Sequence, residues 1–170
     1  MLKAILVGFM GAGKTTVGGV LAEQVGWEQI DLDDEIIAAA GKPITAIFAD
    51  DGEAAFRKLE TTVLQATFNK TGLLSTGGGV VESAANRDVL QATDIPVVYL
   101  QTSGNVVLDR VSGDDSRPLV NQLGPDGLKA LLAKREHLYQ SVSDLVIRTD
   151  DLTPEAISDQ IQAYLKEPAE

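Results

Sequence analysis

Short continuous apolar runs alternate along this chain with stretches whose apolar residues recur every three or four positions. Runs rich in branched residues predict strands buried on both faces, and the longer periodic stretches predict helices that cover them. Strands are expected at 2–7, 28–32, 72–76, 96–101 and 145–149, and helices at 14–25, 33–40, 44–49, 52–70, 83–92, 106–111, 124–142 and 154–165. Gly26 is placed to cap the first helix, and Gly41 followed by Pro43 to stop the second. This alternation predicts an α/β protein with three α/β/α layers around a five-stranded parallel sheet. No internal repeat or low-complexity segment interrupts it, and 170 residues suit one domain over 1–170.

The segment 112–118, Ser-Gly-Asp-Asp-Ser-Arg-Pro, departs from the pattern. Poor in apolar residues, it can bury little, so it reads either as a surface loop or as a mobile lid over about 112–124 that brings Arg117 to a site.

Composition narrows the chemistry. Hydrophobic residues make up 44% and aromatics only 5%, so the core is expected to be aliphatic. The absence of cysteine excludes disulfides and thiolate metal sites. No apolar run approaches a membrane span, and no secretion signal is evident, so a cytoplasmic protein is expected. A net charge of -11 opposes binding to nucleic acid or anionic membrane. Any anionic ligand must then be held by individual cations.

Directly after the first strand comes Gly8-Phe9-Met10-Gly11-Ala12-Gly13-Lys14-Thr15-Thr16. Two glycines, a lysine and a hydroxyl residue between a strand and a helix form a phosphate-binding loop. Backbone N–H groups from Gly11, Ala12 and Gly13 and the helix N-terminus face the anion, Lys14 reaches the outer phosphates, and Thr15 offers a hydroxyl to Mg2+. The plainer alternative is a glycine turn with an incidental lysine.

Further candidates follow. Asp31 and Asp33, two apart at the expected end of the second strand, would point the same way. One carboxylate could serve a metal and the other a hydroxyl proton. The alternative is helix capping by Asp33, Asp34 and Glu35, which does not require Asp31. Arg57 precedes Glu60 by three residues on a helix, close enough for the carboxylate to orient the guanidinium. Gly77-Gly78-Gly79 leaves backbone bare for close approach after the third strand, or simply makes a turn. Arg135 and Arg110 read equally well as surface charges, Trp27 as a packing residue, and the lone His137 as no metal site.

In order, Gly8 to Thr16, Asp31-x-Asp33, Gly52-Glu53-x-x-Phe56-Arg57-x-x-Glu60, Gly77-Gly78-Gly79 and Arg117-Pro118-Leu119, with Arg135 and Tyr139, resemble the motifs of shikimate kinases over nearly the whole chain. The resemblance implies a P-loop NTPase fold and transfer of the γ-phosphoryl group of ATP to the 3-hydroxyl of shikimate, with Mg2+, in a monomer. It further implies that Asp33 binds the ring hydroxyls and acts as base. Arg57, Arg135 and the backbone at Gly78 would hold the substrate, the arginines chiefly through its carboxylate. Arg117 would reach the phosphates from the lid, Arg110 would flank adenine opposite a loop ending at Pro154, and Asp31 with Thr15 would serve the metal. Alternatives are another small-molecule kinase of this architecture, such as a gluconate kinase, or a nucleotide-binding module without catalysis. Gly18-Gly19 and His137 depart from the family's common pattern, and a glycine inside a helix costs about 1 kcal/mol relative to alanine.

Overall fold

The computed structural model describes residues 1–111 and 118–167. Its strands are β1 (Leu2–Val7), β2 (Gln29–Asp31), β3 (Gly72–Ser75), β4 (Val97–Gln101) and β5 (Leu145–Arg148). All pair in parallel, in the order β2-β3-β1-β4-β5, which puts β1 at the centre. The alternation of β1 serves two cores. Ile5 and Val7 join Leu74, Val97 and Tyr99 on one face, while Ala4 and Leu6 join Leu73, Val98 and Leu100 on the other. Both phases of the strand period are therefore apolar, which is why the segment reads as an unbroken run.

The helices are α1 (Lys14–Val25), α2 (Leu32–Ala40), α3 (Ile44–Thr67), α4 (Ala84–Ala92), α5 (Gly104–Val111), α6 (Pro118–Val142) and α7 (Pro154–Lys166). α1 and α7 pack together and send Val17, Leu21, Ile157 and Ile161 into the core behind Ala4 and Leu6, and Trp27 packs against that core. The opposite face is covered by α2 to α6 through Ile36, Phe56, Leu64, Leu90, Val107, Leu132 and Tyr139. Gly26 and Gly41 cap their helices as expected, each donating its N–H to a carbonyl four residues back, Ala22 and Ile37.

The structure corrects the reading of Asp31 and Asp33 as neighbours along one strand. β2 ends at Asp31, and Asp33 lies in the first turn of α2. Asp31 Oδ1 accepts the N–H groups of Asp33 at 2.8 Å and Asp34 at 3.3 Å. Capping does use Asp31, because its carboxylate satisfies two N–H groups that the new helix cannot satisfy itself.

Predicted helix boundaries shift as well. The helices expected at 44–49 and 52–70 are continuous except at Gly52, where φ 85° and ψ 171° break α3 into two segments, and α3 ends at Thr67. The helix expected from Gly124 already begins at Pro118, with a comparable break at Gly124 (φ 65°), so that a proline opens each segment. The later part of the segment read as a lid is thus helical. Arg117, with the rest of 112–117, lies outside the described residues.

Gly18 has a spatial explanation. A Cβ there would stand 2.6 Å from Gln29 Nε2 and 3.1 Å from Ser75 Oγ. Gln29 fills that space and donates to Thr15 O at 2.9 Å, tying the start of α1 to β2.

Candidate active site

The chain leaves β1 at Val7, turns through the glycine-rich loop and enters α1 at Lys14. Gly13, at φ 94°, occupies the cap position with no side-chain acceptor, and the first turn of α1 carries no acidic residue. The dipole and donors of that turn suit an anion. Ala12 is buried, whereas Thr15 and Thr16 are exposed on the first turn. Lys14 Nζ arches over the loop, donating to Gly8 O at 2.5 Å and Phe9 O at 3.1 Å. Arg110, near the end of α5, donates from Nη1 to Gly11 O at 2.9 Å.

β3 lies beside β1, and both the N–H and the hydroxyl of Thr76 donate to Leu6 O, at 3.1 and 2.8 Å. The run Gly77-Gly78-Gly79 therefore leaves the sheet next to the phosphate loop. Each of its glycines admits a different neighbour. A Cβ at Gly77 would lie 3.0 Å from Asp33 Oδ1; at Gly78, 3.2 Å from Met10 N; and at Gly79, 2.5 Å from Arg57 Nη2. Close approach is what these positions require, and a turn alone does not explain them.

Arg57 and Arg135 reach this run from two different helices. On α3, Arg57 Nη1 donates to the buried Glu60 carboxylate at 2.9 Å. Its Nε is buried without a hydrogen-bond partner among the described residues, and Glu53, at 3.8 Å, is too far to provide one. Leaving such a donor unmet costs about 1–3 kcal/mol, which an acceptor on a ligand would recover. On α6, Arg135 is 6% exposed, donates from Nε to Glu82 at 2.6 Å and stands 5.7 Å above the Phe9 ring. One turn later Tyr139 donates its hydroxyl to Gly78 O at 2.5 Å and stacks on Tyr99. The i, i+4 spacing puts both residues on the helix face that meets the glycine run. Tyr99 in turn bonds Glu136, so α6 is fastened to β4 as well.

Asp33 is half-buried at the entrance of α2, and its pKa is raised to about 6. Burial is the main cause, and the negative fields of Asp31, Glu60 and Asp34 add to it, while Lys14 opposes. The group can ionise near neutral pH yet still bind a proton, the range suited to a general base. Burial also works against the charge on Glu82, but its bond to Arg135 and the fields of Arg135, Lys134 and Arg57 hold its carboxyl below the usual range.

These groups enclose a cavity of about 660 Å³, lined by Asp33, Arg57, Glu60, Gly77, Gly78, Gly79 and Arg135, with an apolar wall of Met10, Ile44, Phe48 and Phe56. The structure thus assembles every residue expected to contact an acceptor. Arg110 and Pro154 do not line this cavity; Arg110 reaches the phosphate loop from α5, and Pro154 opens α7 after the Thr153 cap. Another cavity, of about 440 Å³, lies at the β5 edge among Gln101 to Asn105, Lys129, Glu136, Arg148 and Asp150, and holds none of the motif residues.

Thr15 and Asp31 would suit a magnesium ion. Thr15 is exposed at the start of α1, and Asp31 has Oδ2 beyond the oxygen used in capping. No cluster of three or more acidic, His or Cys ligands exists among the described residues. Mg2+ is usually bound by one or two protein groups plus substrate phosphates, without an all-protein cage.

Several site residues have no sequence signal. Glu82 meets Arg135 across 53 residues and Asn86 meets Glu60 across 26. Nothing local marks either. Phe48 and Phe56, with ring centroids 4.6 Å apart, appear in the sequence as ordinary amphipathic positions, although Phe56 falls within the Gly52 to Glu60 motif.

Comparison with known proteins agrees with this geometry. The profile of the shikimate kinase family matches residues 10–166. A shikimate kinase of Limosilactobacillus fermentum is 43% identical over 166 residues, covering 97% of this chain and 96% of that protein. One from Bordetella avium is 45% identical over 171 residues, covering 97% and 81%. Among solved structures, the shikimate kinase from Acinetobacter baumannii in complex with shikimate superposes with a TM-score of 0.87 at 40% identity, over 97% of this chain and 93% of that one. The deoxyadenosine kinase from M. mycoides with bound dATP, 14% identical with a TM-score of 0.63, covers 98% and 100% and shares the fold. With a family profile spanning nearly its whole length and relatives above 40% identity, this chain belongs to the shikimate kinase family.

Proposed function

We infer that this protein transfers the γ-phosphoryl group of ATP to the 3-hydroxyl of shikimate, a step in aromatic amino acid biosynthesis. The observation that carries the reading is the convergence of Asp33, Arg57, Arg135 and the bare backbone of Gly77 to Gly79 on one cavity beside the phosphate loop. The cavity supplies cations for a carboxylate, a half-buried carboxylate for a hydroxyl, and an apolar wall for a ring.

In the proposed complex, Arg57 and Arg135 bind the shikimate carboxylate, and Gly78 contributes backbone contact. Asp33 accepts the hydrogen bond of the 3-hydroxyl and receives its proton as that oxygen attacks the γ-phosphorus. The bond to the bridging oxygen breaks and ADP leaves. Lys14 and the N–H groups of Gly11, Ala12, Gly13, Thr15 and Thr16 hold the phosphates, and Arg117 is assigned to the same phosphates from the segment 112–124. Arg110 and Pro154 are assigned to adenine. Thr15 and Asp31 would hold Mg2+, which supplies charge neutralisation to the phosphates when bound. Positioning and charge stabilisation supply most of the catalysis in such a transfer.

No helix among the described residues is long and apolar enough to cross a membrane. The proposed working form is a cytoplasmic monomer, one kinase domain with a closing segment. An assay that couples ADP release to NADH oxidation, run in parallel with shikimate, gluconate and nucleoside monophosphates, tests the reading. Turnover with shikimate is expected, and turnover only with another acceptor would overturn it.

A further inference from the structure

We propose that Asn86 is a positioning residue for the acceptor site, fixing the Arg57 guanidinium against the glycine run by way of Glu60. Asn86 lies on α4 and is 0% exposed, so it touches no ligand itself. Its amide is fully used. Nδ2 donates to Glu60 Oε1 at 2.8 Å and to Val80 O at 3.0 Å, and Oδ1 accepts the Thr61 hydroxyl at 2.5 Å. One side chain thereby joins α3, the turn at Val80–Glu82 that follows the glycines, and α4.

The consequence for Arg57 follows from the shared oxygen. Glu60 Oε1 accepts from both Asn86 and Arg57 Nη1, and Glu60 is only 1% exposed. A carboxylate held by Arg57 alone could rotate with the guanidinium. Held also by Asn86, it becomes a fixed post. The same Nδ2 fixes Val80 O, the first carbonyl after Gly79, and Gly79 runs so close to the guanidinium that a Cβ there would lie 2.5 Å from Nη2. One amide nitrogen therefore fixes both the carboxylate that holds Arg57 and the end of the glycine run beside it. The task needs two donors and an acceptor on a rigid fork. An aspartate has the shape but, when ionised, no donor, and it would face Glu60 with a second negative charge.

The proposal rests on the reading of Arg57 as a substrate-binding group, and the experiment separates the two. Steady-state kinetics with shikimate and ATP are measured for wild type, Asn86→Leu, Asn86→Asp and Arg57→Lys, with melting temperatures for each. For the Asn86 variants KM for shikimate is expected to rise about tenfold, while KM for ATP changes less than about twofold. A residue that merely stabilised the fold would lower the melting temperature and the active fraction but leave KM for shikimate unchanged. That result in a folded Asn86 variant, alongside a raised KM in Arg57→Lys, would overturn the positioning role alone. An unchanged KM in Arg57→Lys would instead remove Arg57 from the acceptor site and the proposal with it. Where Asn86→Leu does not fold, Asn86→Asp, of nearly identical volume, decides.

Discussion

Replacing Gly79 with alanine should separate substrate recognition from stability. Gly79 sits at φ -91° and ψ 7°, a conformation open to alanine, so the backbone need not change. The added methyl would stand 2.5 Å from Arg57 Nη2 and 3.0 Å from Nη1. Ordinary contact requires roughly 3.5 Å, so the guanidinium must retreat by about 1 Å. That displacement takes the guanidinium out of line with the carboxylate of the proposed acceptor. A hydrogen bond to a charged group contributes about 1.5–3 kcal/mol, which corresponds to a rise of roughly tenfold to 150-fold in KM for shikimate. Stability should move little, because the obstructed atoms end a flexible side chain and the loss of glycine freedom in the unfolded chain returns about 0.4–1 kcal/mol. The expected melting temperature is within about 4 °C of wild type. The assay is ADP release with shikimate varied at saturating ATP, then ATP varied at saturating shikimate, beside a thermal melt. A Gly79→Ala protein with a normal melt and a KM for shikimate within about twofold of wild type would refute the claim that this glycine holds Arg57 in register.

Three further outcomes follow from the same geometry. Asp33 should impose an acidic limb on kcat/KM near pH 6, activity falling as the carboxylate takes up its proton, and a profile flat from pH 5 to 8 would remove it from the role of base. Because the folded pKa of Asp33 is raised from 3.8 to about 6, the folded protein binds the proton more tightly than the unfolded one. The associated stability is complete below pH 3.8 and is lost as pH rises through 6, so Asp33→Asn should stabilise the fold at pH 8 by up to about 3 kcal/mol while greatly reducing turnover. Denaturation curves at pH 8 and pH 4 check this, and a gain no larger at pH 8 than at pH 4 would contradict it. Gly72→Ala should do the converse of Gly79→Ala: its Cβ would lie 2.3 Å from the Glu28 carbonyl oxygen at φ 137°, so a loss of about 2–3 kcal/mol with unchanged KM values is expected. A raised KM for shikimate in that variant would show that glycine substitutions near β3 disturb the site generally.

The fold was readable because the inner strands β1 and β4, buried on both faces, are apolar runs and the helices that cover them carry spaced apolar residues, features that depend on local residue type alone. The phosphate loop was readable for a similar reason, since strand, glycines, lysine and helix are contiguous. Asp33 was found but misplaced: alternation along a strand was assumed up to Leu32, whereas Asp31 ends the strand by capping the helix. Glu82 and Asn86 were not readable. Their roles depend on which loop faces which helix after packing, and neither lies near its partner in the chain. The helical start at Pro118 was hidden by its polar surroundings, although a proline at the first helical position is a local cue that the composition of the segment outweighed.

The pairing of Thr76 with Leu6 has a broader consequence. Donor and acceptor loops spring from neighbouring strands of one sheet, whose axes stand about 4.8 Å apart wherever parallel strands pair. The spacing between the roots of the two loops is thereby a main-chain dimension, which side-chain substitutions on α2, α3 and α6 leave unchanged. In the proposed complex those side chains decide where an acceptor lies above a base whose width the sheet has already set.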